Sequence, residues 1–344
     1  MDAVPPHLRR VDRLIWTLIA IVTGINLTAS VLGPFRVIWT TFLAAAVTNL
    51  LLFAAYRFYT ITRNDLRIAS ALNCTAQIIA FAAVGAPLSY IAASADFPLW
   101  DATIAAWDKQ LGFDWMGWLA AMNNHAELHW IFAAAYSSFT VQTAAVVLAV
   151  AAAGHVLWLR QYVLSFILAT LVTIVIAAVL PAQGAWGYLH LSPENYPAIH
   201  PVTQELHLAT FHGLRDGSYR DLIAQGAQGI ITFPSLHTAA AVLLIIAMWP
   251  IKYLRWVGML LNLTMIAATP VDGGHYFSDV IAGATIAMLS WMAATRLCKN
   301  LEQEVFPVAE TPSLVPEIVA DIVDKLRSPE IESLPQGIHT SVND

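Results

Sequence analysis

Charged residues are scarce in this 344-residue chain. Asp, Glu, Lys and Arg make up 12% of it, whereas hydrophobic residues make up 58% and the mean hydropathy is +0.62. A soluble domain carries about 25% charged residues, and a protein surface in water needs polar cover that this composition does not supply. The shortage of charge therefore argues against a soluble protein and indicates a chain that is solvated by lipid.

Cysteine and positive charge are also in short supply. The two cysteines, Cys74 and Cys298, both fall in apolar stretches, which argues against a disulfide framework. The formal net charge is −6 at pH 7, so the chain lacks the basic footprint that a nucleic-acid partner would require. A cleavable signal is not evident, because the first apolar run is long enough to span and others follow; we expect an uncleaved anchor.

Long apolar runs are what the sequence has in abundance. A helix that crosses a bilayer needs about 20 mostly apolar residues. The sequence therefore predicts an all-α, polytopic membrane helix bundle with about eight transmembrane helices. The predicted spans lie near residues 14–32, 37–56, 68–94, 128–153, 156–180, 234–249, 254–269 and 278–297.

The distribution of Lys and Arg predicts the orientation, because cytoplasmic loops carry an excess of both. With eight spans the two termini share a side, and the opposite side holds only Arg36, Lys109, Arg215 and Arg220 before the tail. We therefore expect cytoplasmic termini and, in a bacterial cell, an inner-membrane protein with a periplasmic outer face. The basic residues on the side of the termini are Arg9, Arg10, Arg13, Arg57, Arg63, Arg67, Arg160, Lys252, Arg255, Arg296 and Lys299.

Two segments between the spans are predicted to lie on the outer side. Trp100, Ile104, Trp107 and Leu111 recur at helical spacing, and tryptophan favours the headgroup region, so we expect a helix in the outer interface. An ordinary packed linker is the alternative. The second segment, residues 181–232, is the longest connection between spans, and long external loops are usually functional.

Polar residues gather at the predicted start of the sixth span, in Thr-Phe-Pro-Ser-Leu-His-Thr (232–238). Proline at the first helical positions with Ser or Thr beside it marks a helix start. The free backbone N–H groups and the positive end of the helix dipole can bind an anion there. Ser235 can add a hydroxyl donor, and His237 lies in the first turn. Plain helix capping with a boundary histidine is the alternative.

A second polar stretch, Thr-Pro-Val-Asp-Gly-Gly-His-Tyr-Phe-Ser-Asp (269–279), opens the last span. His275 and Asp279 are four residues apart and can touch on one helix face. A carboxylate that holds one imidazole nitrogen leaves the other free to attack, as a nucleophilic histidine requires. An ionisable residue in an apolar run also suggests function. A structural His–Asp pair at a helix end is the alternative. Both stretches are predicted to face the outer side.

Pro-Ser-Leu-His followed about forty residues later by His-Tyr-Phe-Ser-Asp resembles the second and third motifs of the type 2 phosphatidic acid phosphatase and vanadium haloperoxidase superfamily. The superfamily's opening Lys and Arg-Pro motif is not evident, and Thr269 stands where an Arg usually precedes the second motif's His. This combination is similar to the inositol phosphorylceramide synthase branch, a group of head-group transferases. The matching residues are Pro234, Ser235 and His237, then Gly273, His275 and Asp279.

The resemblance implies a membrane lipid phosphatase or phospho-head-group transferase that works through a phosphohistidine on a phospholipid or lipid phosphate at the outer membrane face. His275 would attack phosphorus, oriented by Asp279, and His237 would be the acid and base. No cofactor is implied. The phosphate ligands would be Ser235, Gly274 and Arg215, the last in place of the superfamily's missing basic residues.

Three other classes of function stay open. A non-catalytic transporter or scaffold would place charges near mid-membrane in broken helices, and a haloperoxidase-like enzyme would use the same anion pocket. A metal enzyme is suggested by His125 and His129 at i,i+4 spacing, but no carboxylate or Cys stands near them at ligand spacing, so we expect no metal. We divide the chain into two accessory transmembrane helices (1–66), a catalytic six-helix membrane domain (67–299) and an acidic cytoplasmic tail (300–344). The oligomeric state is left open.

The predicted orientation can be tested by cysteine labelling. A cysteine at Ser218, in the long loop, should react with an impermeant thiol reagent on intact cells, whereas a cysteine at Ser313, in the tail, should react only after permeabilisation. The reverse pattern would exclude cytoplasmic termini.

Overall fold

A computed structural model describes residues 4–201, 204–224 and 230–303, and most of the predicted tail lies outside these ranges. Within them the fold is all-α, as predicted. Two short strands, β1 (Arg36–Val37) and β2 (Asp221–Leu222), pair in parallel. The helices are α1 (Pro6–Leu32), α2 (Trp39–Ile61), α3 (Leu66–Ala93), α4 (Asp101–Gln110), α5 (Trp115–Asn124), α6 (Ala126–Ser137), α7 (Phe139–Ala152), α8 (Val156–Val179), α9 (Ala185–Tyr188), a 3-10 turn (Pro193–Asn195), α10 (Gln204–Asp216), α11 (Leu236–Met248), α12 (Leu254–Asp272) and α13 (Phe277–Gln303).

Six of these helices, α1, α2, α3, α8, α12 and α13, are long and apolar enough to cross a membrane, and α6 with α7 makes a seventh if the bent pair is one span. The predicted polytopic bundle is therefore confirmed. The predicted sixth span is α11, which has 13 residues. At 1.5 Å per residue it covers about 20 Å, less than the roughly 30 Å of a hydrocarbon core. The count of eight is reached only if this short helix is included.

The predicted fourth span is a broken one. Its halves, α6 and α7, are bent by 51° relative to each other. Ser138, at the break, donates its hydroxyl to the carbonyl of Ala135 at 2.6 Å. Paired serines favour kinks because a hydroxyl takes up a carbonyl of the helical hydrogen-bond ladder. The break leaves Tyr136 and Phe139 against the same residue of α11, His237.

The main core lies where α3, α8 and α11 meet, and it draws buried side chains from α1, α7 and α13 as well. Both cysteines are buried there as free thiols. In contrast, α2 buries only Thr60 and exposes leucines and phenylalanines along its length. An apolar surface of this extent is unusual for a protein in water and suits contact with lipid.

A buried ion pair ties α1 to α8. Arg160 is fully buried, and its Nε and Nη2 donate to the two carboxylate oxygens of Asp12 at 2.9 and 3.0 Å. Its Nη1 donates to the hydroxyl of Ser70 and the carbonyl of Val156. The bidentate geometry and the extra acceptors offset the cost of removing a guanidinium from water.

We expect Arg160→Met to destabilise the fold by about 3–5 kcal/mol, because it leaves the Asp12 carboxylate buried without its partner. The double variant Asp12→Leu/Arg160→Met should recover part of the loss, since neither charge is then desolvated. The matched control is Arg36→Met at the Arg36–Asp221 pair, where the arginine side chain is 76% exposed and the loss should stay within about 1 kcal/mol. The free energy of unfolding in mixed micelles is measured for all three variants. Equal losses of stability in Arg160→Met and Arg36→Met would contradict the role assigned to the buried ion pair.

Candidate active site

The connection between α12 and α13, residues 273–276, holds the predicted nucleophile. Gly274 has a φ of +69°, which glycine adopts without steric cost, and its carbonyl accepts from the backbone N–H of Ala185 at 2.9 Å. His275 follows just ahead of α13. Its Nδ1 lies 3.1 Å from Oδ2 of Asp279, and both side chains are buried. An Nδ1–H that donates to the carboxylate leaves Nε2 with a free lone pair.

The start of α11 holds the second histidine. Ser235 is the N-cap: its hydroxyl accepts from the backbone N–H of Thr238 at 3.3 Å, and the residue is fully buried. Nδ1 of His237 lies 3.0 Å from the hydroxyl oxygen of Tyr136, and the two rings stack with centroids 4.1 Å apart. The backbone N–H of Ser235 donates to the carbonyl of Asp279, which joins the two motifs directly.

Gly273 lies between the two histidine sites. A methyl group added to it would lie 2.6 Å from Cδ2 of His275 and 2.7 Å from the Tyr136 hydroxyl oxygen. Both distances are shorter than real carbon contacts allow, so any side chain here would displace the imidazole or the phenol. The glycine therefore permits the close approach of the two histidine environments.

A cavity of about 470 Å³ brings both histidines to one space. Its apolar wall comes mainly from α3, α7 and α8, and includes Phe81, Phe139 and Phe166. Among the residues that the structure describes, no Lys, Arg, Asp or Glu lines it. The polar side chains that line it are those of His207, His237, His275, Tyr136, Ser89, Ser137, Thr140 and Thr170.

Two aspartates of α4 support the nucleophile, and sequence reasoning missed them. Asp108 accepts from the backbone N–H groups of Phe277 and Ser278, both at 2.7 Å, and from the Ser278 hydroxyl. It therefore caps the start of α13 from another helix. The helix predicted around residues 100–111 is present as α4, and both of its aspartates are buried.

The other aspartate, Asp101, holds the far side of the same turn. Its carboxylate accepts from the hydroxyl of Tyr276 at 2.9 Å and from the backbone N–H groups of Gln183 and Gly184. Burial raises the pKa of Asp101 from its usual value, while these three hydrogen bonds lower it. The signal in the sequence was the seven-residue spacing of Asp101 and Asp108, which places them on one face of α4.

The structure does not bring Arg215 to the cavity. Its guanidinium donates to the carbonyls of Ala95 and Phe97 at 3.0 and 2.8 Å and lies 3.4 Å from the Asp96 carboxylate. It therefore holds α10 against the connection between α3 and α4. Arg220, the other candidate cation, donates to the carbonyl of Leu214. Ser235 and Gly274, the other predicted phosphate ligands, lie beside the cavity but do not line it.

His207 of α10 lines the cavity instead, although no motif in the sequence marks it. The pKa of His207 is lowered to about 4, mainly by burial and also by the nearby His275, against a hydrogen bond at Ile230 that raises it. Burial likewise lowers the pKa of His275 to about 4, opposed by a hydrogen bond to the backbone of Thr232. Both imidazoles are therefore neutral at pH 7, which is the form that a nucleophile needs.

The histidines that suggested a metal enzyme have other contacts. Nε2 of His129 accepts from the backbone N–H of His200 at 3.0 Å, and its Nδ1 lies 3.9 Å from Oδ1 of Asp272. His125 is exposed. Across the described ranges no three His, Cys, Asp or Glu side chains are grouped as metal ligands.

A family model described as the PAP2 superfamily matches residues 102–293, which is more than half of the chain. No curated protein and no solved structure gives a significant match. The matched range contains both histidine motifs, the histidine of α10 and the tyrosine of α6. The chain therefore belongs to the PAP2 superfamily.

Proposed function

We propose that this protein is a membrane lipid phosphatase or phospho-head-group transferase that works through a phosphohistidine intermediate. Membership of the PAP2 superfamily supports phosphatase-type chemistry in general. The observation that carries the proposal is the placement of His237 and the His275–Asp279 pair on one cavity with an apolar wall.

In the first step Nε2 of His275 attacks phosphorus. The bond from phosphorus to the leaving oxygen breaks, and protonated His237 gives that oxygen its proton. The Asp279 carboxylate accepts from Nδ1 of His275 and stabilises the positive charge that the ring gains when it is phosphorylated. In the second step His237 takes a proton from water or an alcohol, which attacks the phosphohistidine and releases His275 unchanged.

A lipid substrate suits the walls of the cavity. Phenylalanines of α3, α7 and α8 can contact an acyl chain, while the imidazoles meet the phosphate. Because the backbone N–H groups of Phe277 and Ser278 already donate to Asp108, the start of α13 has little left for an anion. The imidazoles are then the principal hydrogen-bonding groups for phosphate.

We further propose that the chain is closer to the inositol phosphorylceramide synthase branch than to the arginine-rich phosphatases, with its active site at the outer membrane face. Two observations support the branch: Thr269 stands where an arginine is usual, and no arginine is among the described residues that line the cavity. Arg215 is not part of this proposal, since its guanidinium already donates hydrogen bonds to two backbone carbonyl groups.

The first test uses purified protein in detergent with a chelator, incubated with labelled phospholipids and lipid phosphates, with and without alcohol acceptors. We expect label to be released to water or transferred to an alcohol, because neither step needs a metal. Chromatography of the products distinguishes a phosphatase from a transferase. A protein that binds these lipids without converting any of them would support the transporter or scaffold reading instead.

The second test separates the two histidines. His275→Ala should abolish the covalent intermediate, whereas His237→Ala should slow its formation and breakdown by about a hundredfold to ten-thousandfold. The losses should not add in the double variant, because the residues act as one unit. Alkaline quenching after a brief reaction with labelled phosphate ester preserves phosphohistidine for counting. Label trapped on the His275→Ala protein would rule out the assignment.

A further inference from the structure

The polar side chain of Tyr136 is in direct contact with His237, the residue proposed to act as both acid and base. Its hydroxyl oxygen lies 3.0 Å from Nδ1 of His237, and its ring stacks on the imidazole with 20° between the planes. The residue is 3% exposed. Tyr136 comes from α6, about a hundred residues before the first histidine motif, so no motif spacing marks it.

The two histidines thus have partners of different chemistry. A carboxylate such as that of Asp279 can only accept hydrogen bonds, which suits His275, whose Nδ1 would keep its hydrogen while Nε2 forms and breaks the bond to phosphorus. A phenol hydroxyl both donates and accepts. It can accept from Nδ1–H when His237 is protonated and donate to Nδ1 when His237 is neutral. A residue that alternates between these states in one catalytic cycle needs a partner of this kind.

The surroundings hold the phenol in place. Gly273 leaves the room that the hydroxyl occupies, and Phe139 packs edge-on against His237 with centroids 5.9 Å apart. The bend between α6 and α7 places Tyr136 and Phe139 on either side of that break, with both rings against the imidazole.

We propose that Tyr136 is a positioning residue for proton transfer by His237. Its hydroxyl holds Nδ1 in both protonation states and keeps Nε2 available to the leaving and attacking oxygens. The inference rests on the proposed phosphoryl transfer. Among the described residues, the other titratable groups near the His237 imidazole are His207 and His275, which line the same cavity. Asp279 is hydrogen-bonded to His275, and Asp272 precedes Gly273 in the chain.

Tyr136→Phe tests the role of the hydroxyl, because it keeps the stacked ring. The probes are phenyl and 4-nitrophenyl esters of phosphate and of dodecyl phosphate. A phenolate leaves poorly and needs its proton, so Tyr136→Phe should lose about tenfold or more on the phenyl esters. A 4-nitrophenolate leaves without help, so the loss on those esters should be about threefold or less. The ratio of the two rates is the readout, which a loss of folded protein would not change.

The matched control is Tyr162→Phe in α8, which removes another buried phenol hydroxyl, near Thr143, from a residue in the core. Its ratio of rates should equal that of the unmodified protein. An unchanged ratio in Tyr136→Phe would overturn the role of Tyr136 alone. An unmodified protein that cleaves none of the esters and none of the lipids would overturn the proposed function, and this inference with it.

A second replacement keeps the shape of the side chain in case the phenylalanine variant does not fold. In 3,5-difluorotyrosine the hydroxyl is a stronger donor and a weaker acceptor. Both changes favour neutral His237, so the limb on which activity falls with rising pH should move to lower pH. The same replacement at position 162 should leave that limb in place. A limb that stays unmoved by the replacement at position 136 would contradict the proposal.

Discussion

Buried carboxylates that hold one short turn are the constraint on which the active site depends. The turn before α13 carries His275, and three aspartates from two helices bond to it: Asp101 through the Tyr276 hydroxyl, Asp108 through backbone N–H groups, and Asp279 through His275 itself and the N–H of Tyr276. Carboxylates inside an apolar bundle are costly unless they are hydrogen-bonded. Each of these has such partners, so the hydrogen bonds that offset the cost of burial also set the position of His275, the proposed nucleophile.

This arrangement explains how α4 contributes to the candidate active site. Without α4 the first N–H groups of α13 would need water or a local cap. With Asp108 as the cap, α4 and the start of α13 become one unit. The loop itself returns to the site through α10, whose His207 lines the cavity, while Arg215 fastens the end of α10 to the α3–α4 connection.

Under the proposed function, the cavity would be an unusual phosphate site, because its described lining carries no fixed charge. Neutral imidazoles and hydroxyl groups can bond to phosphate without the strong field of an arginine cluster, and one protonated imidazole can balance a single negative charge. Under the proposed function, such a site would hold a free anion weakly, and the apolar walls would contribute much of the binding of a lipid. The same walls exclude water, which strengthens each hydrogen bond made inside.

The sequence by itself determined the membrane bundle, its main spans and the pairing of His275 with Asp279. These rest on local rules: apolar run length, helical spacing and motif order act over a few residues, so they can be read without knowing what packs against what. The family followed from the same local motifs.

Tertiary structure alone decided the rest. It buried both aspartates of α4, placed Tyr136 against His237, and brought His207 to the cavity while it kept Arg215 away. Each of these outcomes depends on contacts between segments that lie tens to more than a hundred residues apart. The type and spacing of the residues indicate which hydrogen bonds or reactions a side chain can take part in. Only packing decides its partner, because a buried polar group bonds to whatever donor or acceptor the fold brings within about 3 Å.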